Sequence, residues 1–356
     1  MRGLIELIIF FICAIIFSFV INGLFLKFSK TLGIRNNNGN EIRWSSQDKP
    51  SLGGISFYII FLVSIIFCSF FHKEYQSFNL KFLGFFVACT LGFVMGLADD
   101  AFNTRPLLKF FTQLFCSLIL IFTGTYINIF QNDLYNYLIT IFWVVGLMNS
   151  INMLDNMDSI ATIVSVFILV SILVLVLLQH FIIDVYVLLL IGILASLIGF
   201  LFYNWYPSKM YMGDTGSQLL GIFLAGIGIV FYWNNKDFNG NEIFTKRILN
   251  AVIIFSLPII DTTIVVFNRI MRKQSPFIGG KDHTTHNLFY LGHTEKQIAF
   301  IFSFLSAISV IMMVIINSIA KWNHLYISLF VLYLVFLFGI LFYVTKMKKK
   351  NHIKKS

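Results

Sequence analysis

The sequence predicts an all-α, polytopic integral membrane protein with about eleven transmembrane helices, its candidate functional residues gathered on the cytoplasmic face. Three observations carry this reading. Of 356 residues, 58% are hydrophobic and only 12% charged, with a mean hydropathy of +0.84; a soluble globular chain carries about 25% charged residues. The apolar residues fall in runs close to the ~20 residues that cross a bilayer as a helix. The basic residues lie mostly on alternate connections between those runs. With 42 Phe and 5 Pro, the apolar content is aromatic and aliphatic, which excludes a disordered chain and a cytosolic domain alike.

Taken in order, the runs are 3–26, 54–71, 81–98, 107–124, 134–148, 159–178, 185–203, 218–233, 248–268, 298–319 and 327–345. The first is too long for a signal-peptide core and lacks a small-residue cleavage site, so it reads as a span. The fifth is short, and residues 125–133 are expected to extend it. No internal repeat, linker or separate soluble domain stands out. Residues 1–345 read as one transmembrane domain and 346–356 as a basic tail. Cys13, Cys68, Cys89 and Cys116 lie inside apolar runs without metal-like spacing, and read as small buried hydrophobes.

Eleven spans put the termini on opposite sides. On the N-terminal side fall Arg2, Lys73, Lys81, Lys236, Lys246, Arg247 and Lys321; the other 19 of the 26 Lys and Arg fall on the C-terminal side. Basic residues mark the cytoplasmic side. The N-terminus is therefore expected outside and the C-terminus in the cytoplasm, across the inner (plasma) membrane. On this reading the net charge of +10 is an orientation signal, and no nucleic-acid partner is expected. Paired aspartates, asparagines, histidines and most prolines also fall on the cytoplasmic side.

Four segments there carry chemistry. Asp99-Asp100 closes the third span; adjacent carboxylates at a membrane edge repel each other and call for a cation. Lys109 and Gln113 share a face of the fourth span, where a lysine just inside the edge can reach a lipid phosphate. Asn149, Asn152, Asp155 and Asp158 recur at three-residue steps, giving a polar helical strip of oxygen donors that suit Mg²⁺ or a nucleoside. Asn204 to Ser217 brackets Asp214 between Gly213 and Gly216, a turn whose helix N-terminus would favour a phosphate. The loop from Asn268 to Gln297 holds Arg269, Arg272, Lys273, Ser275-Pro276-Phe277, Gly279-Gly280 and two histidines, His283 and His286, one turn apart. That set suits a diphosphate. Zinc is not expected, because no Cys or Glu lies at ligand spacing. Pro258 and Asp261 precede the loop inside the ninth span, where an ionisable side chain is a functional candidate.

These segments resemble the polyprenyl-phosphate N-acetylhexosamine-1-phosphate transferase family (the MraY/WecA superfamily, of glycosyltransferase family 4 type), over nearly the whole chain and in order. Lys49-Pro50-Ser-Leu-Gly53-Gly54 resembles its Pro-x-x-Gly-Gly element, Asp99-Asp100 its aspartate pair, and Asn149 to Asp158 its Asn-x-x-Asn-x-x-Asp-x-x-Asp motif. Asn204 to Ser217 resembles its Asn-x-x-Pro … Met-Gly-Asp-x-Gly-Ser segment, and Arg269 to His286 its histidine-rich loop. Two departures stand out. The family's Asp-Gly steps read Asp155-Asn156 and Asp158-Ser159, and its His-x-His-His cluster reads His283-Thr-Thr-His286.

The resemblance implies a cytoplasmic-face active site and Mg²⁺-dependent transfer (Mn²⁺ being the alternative ion) of a sugar 1-phosphate from a UDP-N-acetylhexosamine to undecaprenyl phosphate, with release of UMP. It implies Asp214 and Asn152 as metal ligands, and Asp99 and Asp100 as the catalytic pair acting on the lipid phosphate. Asn149, Asp155, Asp158, Asn204, Lys109, Arg269, His283 and His286 are implied as substrate-binding residues. Without three consecutive histidines, the branch using UDP-GlcNAc-like donors is favoured over phospho-MurNAc-pentapeptide transfer. A homodimer is expected from the family alone. A multi-span transporter is the reading from another class, but it would place its acids near the bilayer midplane.

Overall fold

The computed structural model describes residues 2–29, 49–71, 79–179, 184–275 and 280–347. Thirteen α-helices and no strand occur among them: α1 Arg2–Phe28, α2 Gly53–Phe71, α3 Leu80–Phe102, α4 Pro106–Phe122, α5 Asp133–Leu154, α6 Ile160–Leu178, α7 Val185–Asn204, α8 Gly213–Gly228, α9 Phe244–Ile254, α10 Ser256–Met271, α11 Thr284–Tyr290, α12 Glu295–Ser318 and α13 His324–Lys346. A π-helical turn, Ile229–Trp233, prolongs α8. Among the described residues, nine helices are long and apolar enough to cross a membrane, or ten if α9 and α10 count as one broken span. The chain is a polytopic membrane protein.

Helix α8 is the axis of the bundle: 94% of its most apolar window is buried, against 83% for α7 and 17% for the peripheral α13. It packs on α3, α5 and α2. Outward positions stay apolar, as at Phe142 on α5 and Phe336 on α13. In hydrocarbon such a surface is solvated, while every backbone polar group is satisfied within its helix.

Four expectations are corrected. The fourth span is a helix of 17 residues, slightly shorter than the apolar run 107–124 and at the short end of what crosses a bilayer. The fifth is extended at its other end, to Leu154, while 125–132 is a loop: the Asn136 side chain accepts from the amides of Ile129 and Phe130, and Thr140 from that of Ile127. The ninth is broken at Phe255, with α9 and α10 bent by 71°. Pro258 has no amide to give the carbonyl of Ile254, and it is tolerated only in a first turn, which is where α10 places it. Finally, Cys13 is exposed on α1, unlike the three buried cysteines.

At the end of α8 away from Asp214, a buried ion pair ties the bundle together. Lys246 donates to Asp237 Oδ2 at 2.7 Å and to the Ile319 carbonyl at 2.6 Å, with side chains 2% and 1% exposed for the pair. Lys246→Met leaves Asp237 buried without its cation, a change that costs roughly 3–5 kcal/mol. A lower melting temperature in detergent checks this; an unchanged one would show the pair to be dispensable.

Candidate active site

Four helix ends meet around one carboxylate, and sequence explains why each stops there. Helix α3 ends at Asn103, which takes a left-handed conformation (φ 50°) and donates its amide to the Asp99 carbonyl. The Asp99 side chain accepts from Thr104, amide at 2.9 Å and hydroxyl at 2.5 Å. Helix α4 then starts at Pro106, whose fixed φ suits a first helical position, and carries Lys109 on its first turn. Helix α8 starts at Gly213 with φ 71° and has no side-chain cap of its own. Asp100 supplies one from α3: its carboxylate accepts from the amides of Asp214 at 3.1 Å and Thr215 at 2.8 Å, and from the Thr215 hydroxyl at 2.6 Å. These helix-start amides, expected to face a phosphate, are thus already engaged by Asp100.

The approach of α3 to α8 requires glycine. A Cβ on Gly96 would overlap the Asp214 carbonyl, and one on Gly54 of α2 the Gly216 backbone. The result is a charge-bridged centre. Lys109 Nζ lies 2.5 Å from both Asp99 Oδ2 and Asp214 Oδ2. Asn152, on the last turn of α5, donates to Asp214 Oδ1 and to Ser217 Oγ, both at 2.8 Å. One helical turn deeper, α4, α5 and α8 carry a layer of amides. Asn149 donates to Gln113 Oε1 at 2.7 Å, and Gln113 to Gln218 Oε1 at 3.2 Å. Asn149 therefore underpins the centre and lies outside the cleft lining.

Beside the centre opens a cleft of about 200 Å³, lined by Ser51, Asp100, Asn152, Asp155, Asp214 and His286 among others. Asp155 caps the C-terminus of α5. Burial, then the negative charges of Asp214, Asp100 and Asp158, push its pKa up to about 8. Asp158 also lines the cleft but is spent on structure: it accepts from the Ser208 amide at 2.9 Å and hydroxyl at 2.8 Å, and pairs with Lys49 at 3.5 Å. Asn204, expected to bind substrate, is instead 1% exposed and lies behind the cleft wall. It accepts from Thr162 and donates to the Met210 carbonyl, closing the 205–212 loop. That loop presents Tyr211 to the cleft by pairing with residues 50–54 through the Tyr211, Gly53 and Gly54 amides.

The far wall comes from α11. Asp261 on α10 accepts from the Thr284 amide at 2.8 Å, and its Oδ2 lies 2.8 Å from His283 Nδ1. His283 is thus held away from the cleft, while His286 lines it. Burial, then the neighbouring His283, push the His286 pKa down to about 3, so at neutral pH this ring acts as a neutral hydrogen-bonding group. Arg269, expected on a phosphate, forms a bidentate pair with Asp282 at 2.9 and 2.7 Å. Burial works to raise the Asp282 pKa, but Arg269 holds it below the usual carboxylate range. Pro276, Phe277 and Gly279 lie outside the described residues.

Gln218 escaped sequence reading, and Ser51, Asn156, Tyr211 and Ser217 entered it only as members of motif segments with no role of their own. Their part in the site comes from tertiary placement. Among the described residues, no three His, Cys, Asp or Glu side chains group as a metal site.

Comparison with known proteins supplies the rest. Residues 82–232, from α3 into the π-helical turn, match the model of glycosyl transferase family 4. The chain is 24% identical over 344 residues to a probable undecaprenyl-phosphate N-acetylglucosaminyl 1-phosphate transferase of Bacillus subtilis, covering 94% of this chain and 90% of that protein. It is 25% identical over 282 residues to a phospho-N-acetylmuramoyl-pentapeptide-transferase of Campylobacter lari, covering 70% and 75%. It is 24% identical over 276 residues to a decaprenyl-phosphate N-acetylglucosaminephosphotransferase of Mycobacterium leprae, covering 70% and 68%.

Proposed function

The chain belongs to glycosyl transferase family 4, and on that footing we propose that it transfers N-acetylhexosamine 1-phosphate, GlcNAc-1-phosphate first among the candidates, from a UDP-sugar to undecaprenyl phosphate. A lipid phosphate oxygen attacks the donor's β-phosphorus, the bond from that phosphorus to the bridging oxygen breaks, and UMP leaves. The product is a polyprenyl-diphosphate-linked sugar that initiates cell-envelope polysaccharide synthesis. The observation that carries the reading is the Asp99–Lys109–Asp214 bridge beside the carboxylate-lined cleft. Two anions must meet, and a preorganised cation at a half-buried helix junction lowers that barrier.

In this proposal Lys109 meets the phosphates and Asp99 positions the lipid phosphate or takes its proton. Asp100 acts through α8 by fixing Asp214. Asp155 and His286 face the donor. Asp214 and Asn152 would hold Mg²⁺. The donor set fits, being all oxygen, and Mg²⁺ takes one or two carboxylates and completes its shell with water and substrate phosphate. When bound, such an ion would neutralise the developing phosphate charge. The basic-residue distribution supports a cytoplasmic cleft. It also agrees with α13 ending at that side, where Lys346 donates to Asn268 on α10. A homodimer is proposed from the family resemblance alone.

The test is turnover by detergent-purified protein with undecaprenyl phosphate, Mg²⁺ and a panel of UDP-sugars that includes UDP-MurNAc-pentapeptide. UMP release that needs lipid, metal and UDP-GlcNAc supports the proposal. Release with the pentapeptide donor alone selects the second reading, which the likeness to the Campylobacter lari relative supports. Uptake into proteoliposomes without UMP release selects a transporter.

A pH prediction follows from Asp155. Its pKa near 8 lies above the ordinary ~3.9, so the folded chain keeps a proton that the unfolded chain releases. Its stabilising contribution is complete below about pH 4 and is lost as pH rises through 8. The neutral carboxyl also adds no charge against a nucleotide, alongside Asp100, Asp158, Asp214 and His286. UMP affinity in metal-free buffer is expected to fall from pH 7 to 9, and Asp155→Asn to abolish that limb. A limb that persists in the variant contradicts the assignment.

A further inference from the structure

A contact between α11 and the cleft wall joins two of the positions at which the sequence departs from its family's pattern. Thr285, 0% exposed, donates from Oγ1 to Asn156 Oδ1 at 2.6 Å. The Asn156 amide nitrogen donates to the Met153 carbonyl at 2.8 Å, which fixes the orientation of the group. Asn156 lines the cleft, and so does His286, the residue after Thr285; the His286 ring also lies against the Asn156 backbone. Asn156 stands where the pattern has glycine after aspartate, and Thr285 where it has an imidazole. A glycine has no side chain to receive the threonine hydroxyl.

We propose that Asn156 and Thr285 form a clasp that sets the position of His286 and the shape of the cleft wall for this chain's donor. On this view they are one specificity-determining pair and not two independent substitutions. The inference rests on the reading of the chain as a UDP-sugar phosphotransferase. Asn156→Ala strands the buried Thr285 hydroxyl, and Thr285→Val leaves the half-buried Asn156 oxygen at the cleft without its donor, so the second loss adds little once the first is made. The effect falls on the donor, because the centre at Lys109 and Asp99 is built from α3, α4 and α8 without either residue.

The experiment is a double-mutant cycle in the full-length, detergent-purified protein with Thr285→Val, Asn156→Ala and the pair, alongside Asn156→Gly, Thr285→His and that pair. KM for UDP-sugar and for undecaprenyl phosphate, kcat, UDP-GlcNAc affinity without lipid, and melting temperature are read together. Each single change is expected to raise donor KM and weaken UDP-GlcNAc binding about fivefold, leaving lipid KM unchanged. The Val/Ala pair should be no worse than its worse single, and the Gly/His pair should recover relative to its singles and alter the ranking of donors. Multiplicative losses, or donor and lipid KM rising together in step with a lower melting temperature, would overturn the clasp. An active wild type with independent losses overturns the clasp alone, whereas a wild type that binds no UDP-sugar overturns the functional reading with it.

Discussion

Asp214→Asn is expected to lower kcat by about three orders of magnitude while the protein still inserts in the membrane and purifies at normal yield. The substitution is nearly isosteric, so it keeps an oxygen for Asn152, which donates to Asp214 at 2.8 Å. It removes the negative charge that faces Lys109 at 2.5 Å, and with it the principal proposed metal ligand. Loss of one preorganised electrostatic group typically costs 10²–10³ in kcat, and loss of a metal's Lewis-acid contribution adds to that. The α8 start is held independently, by Asp100 on the amides of Asp214 and Thr215, which is why folding should survive. Near-normal turnover of the variant would remove Asp214 from the mechanism.

Lys109→Met should produce the second largest effect, a fall in kcat of about 10²-fold. The ammonium sits 2.5 Å from two carboxylates. Without it, the two carboxylates lose their bridging cation, and two unit charges about 4–5 Å apart repel by roughly 3–4 kcal/mol at an effective dielectric of ~20. The pair would then take up a proton and stop acting as two anions. Lys109→Arg keeps the charge but has a planar fork that does not fit a point bridge, so it is expected to fall between methionine and wild type. The check is kcat for all three at saturating donor and lipid. Equal rates would show that the bridge is structural only.

Much of the frame was legible because lipid leaves a chain few choices. Runs such as 185–203 must be helices, and α7 runs Val185–Asn204. The shared face of Lys109 and Gln113 was also legible, since one turn of α4 fixes it. What escaped depends on contacts between segments distant in sequence. The strip from Asn149 to Asp158 is helical only through Leu154, after which Asp155 caps the helix and Asp158 binds the 204–212 loop. Nothing local reveals that Asp100 caps α8 from α3, or that Arg269 is claimed by Asp282. The break at Phe255 was in part readable from Pro258, but the 71° bend depends on how α10 packs against α5.

In the proposed transfer the attack falls on the donor's β-phosphorus and not on the sugar carbon. The most direct measurement follows the fate of a donor labelled in its β-phosphate. With UDP-GlcNAc, undecaprenyl phosphate and Mg²⁺, the account predicts that the label moves to the lipid product in step with release of UMP, one for one. Label retained on the nucleotide, released as UDP while the sugar alone reaches the lipid, would contradict it.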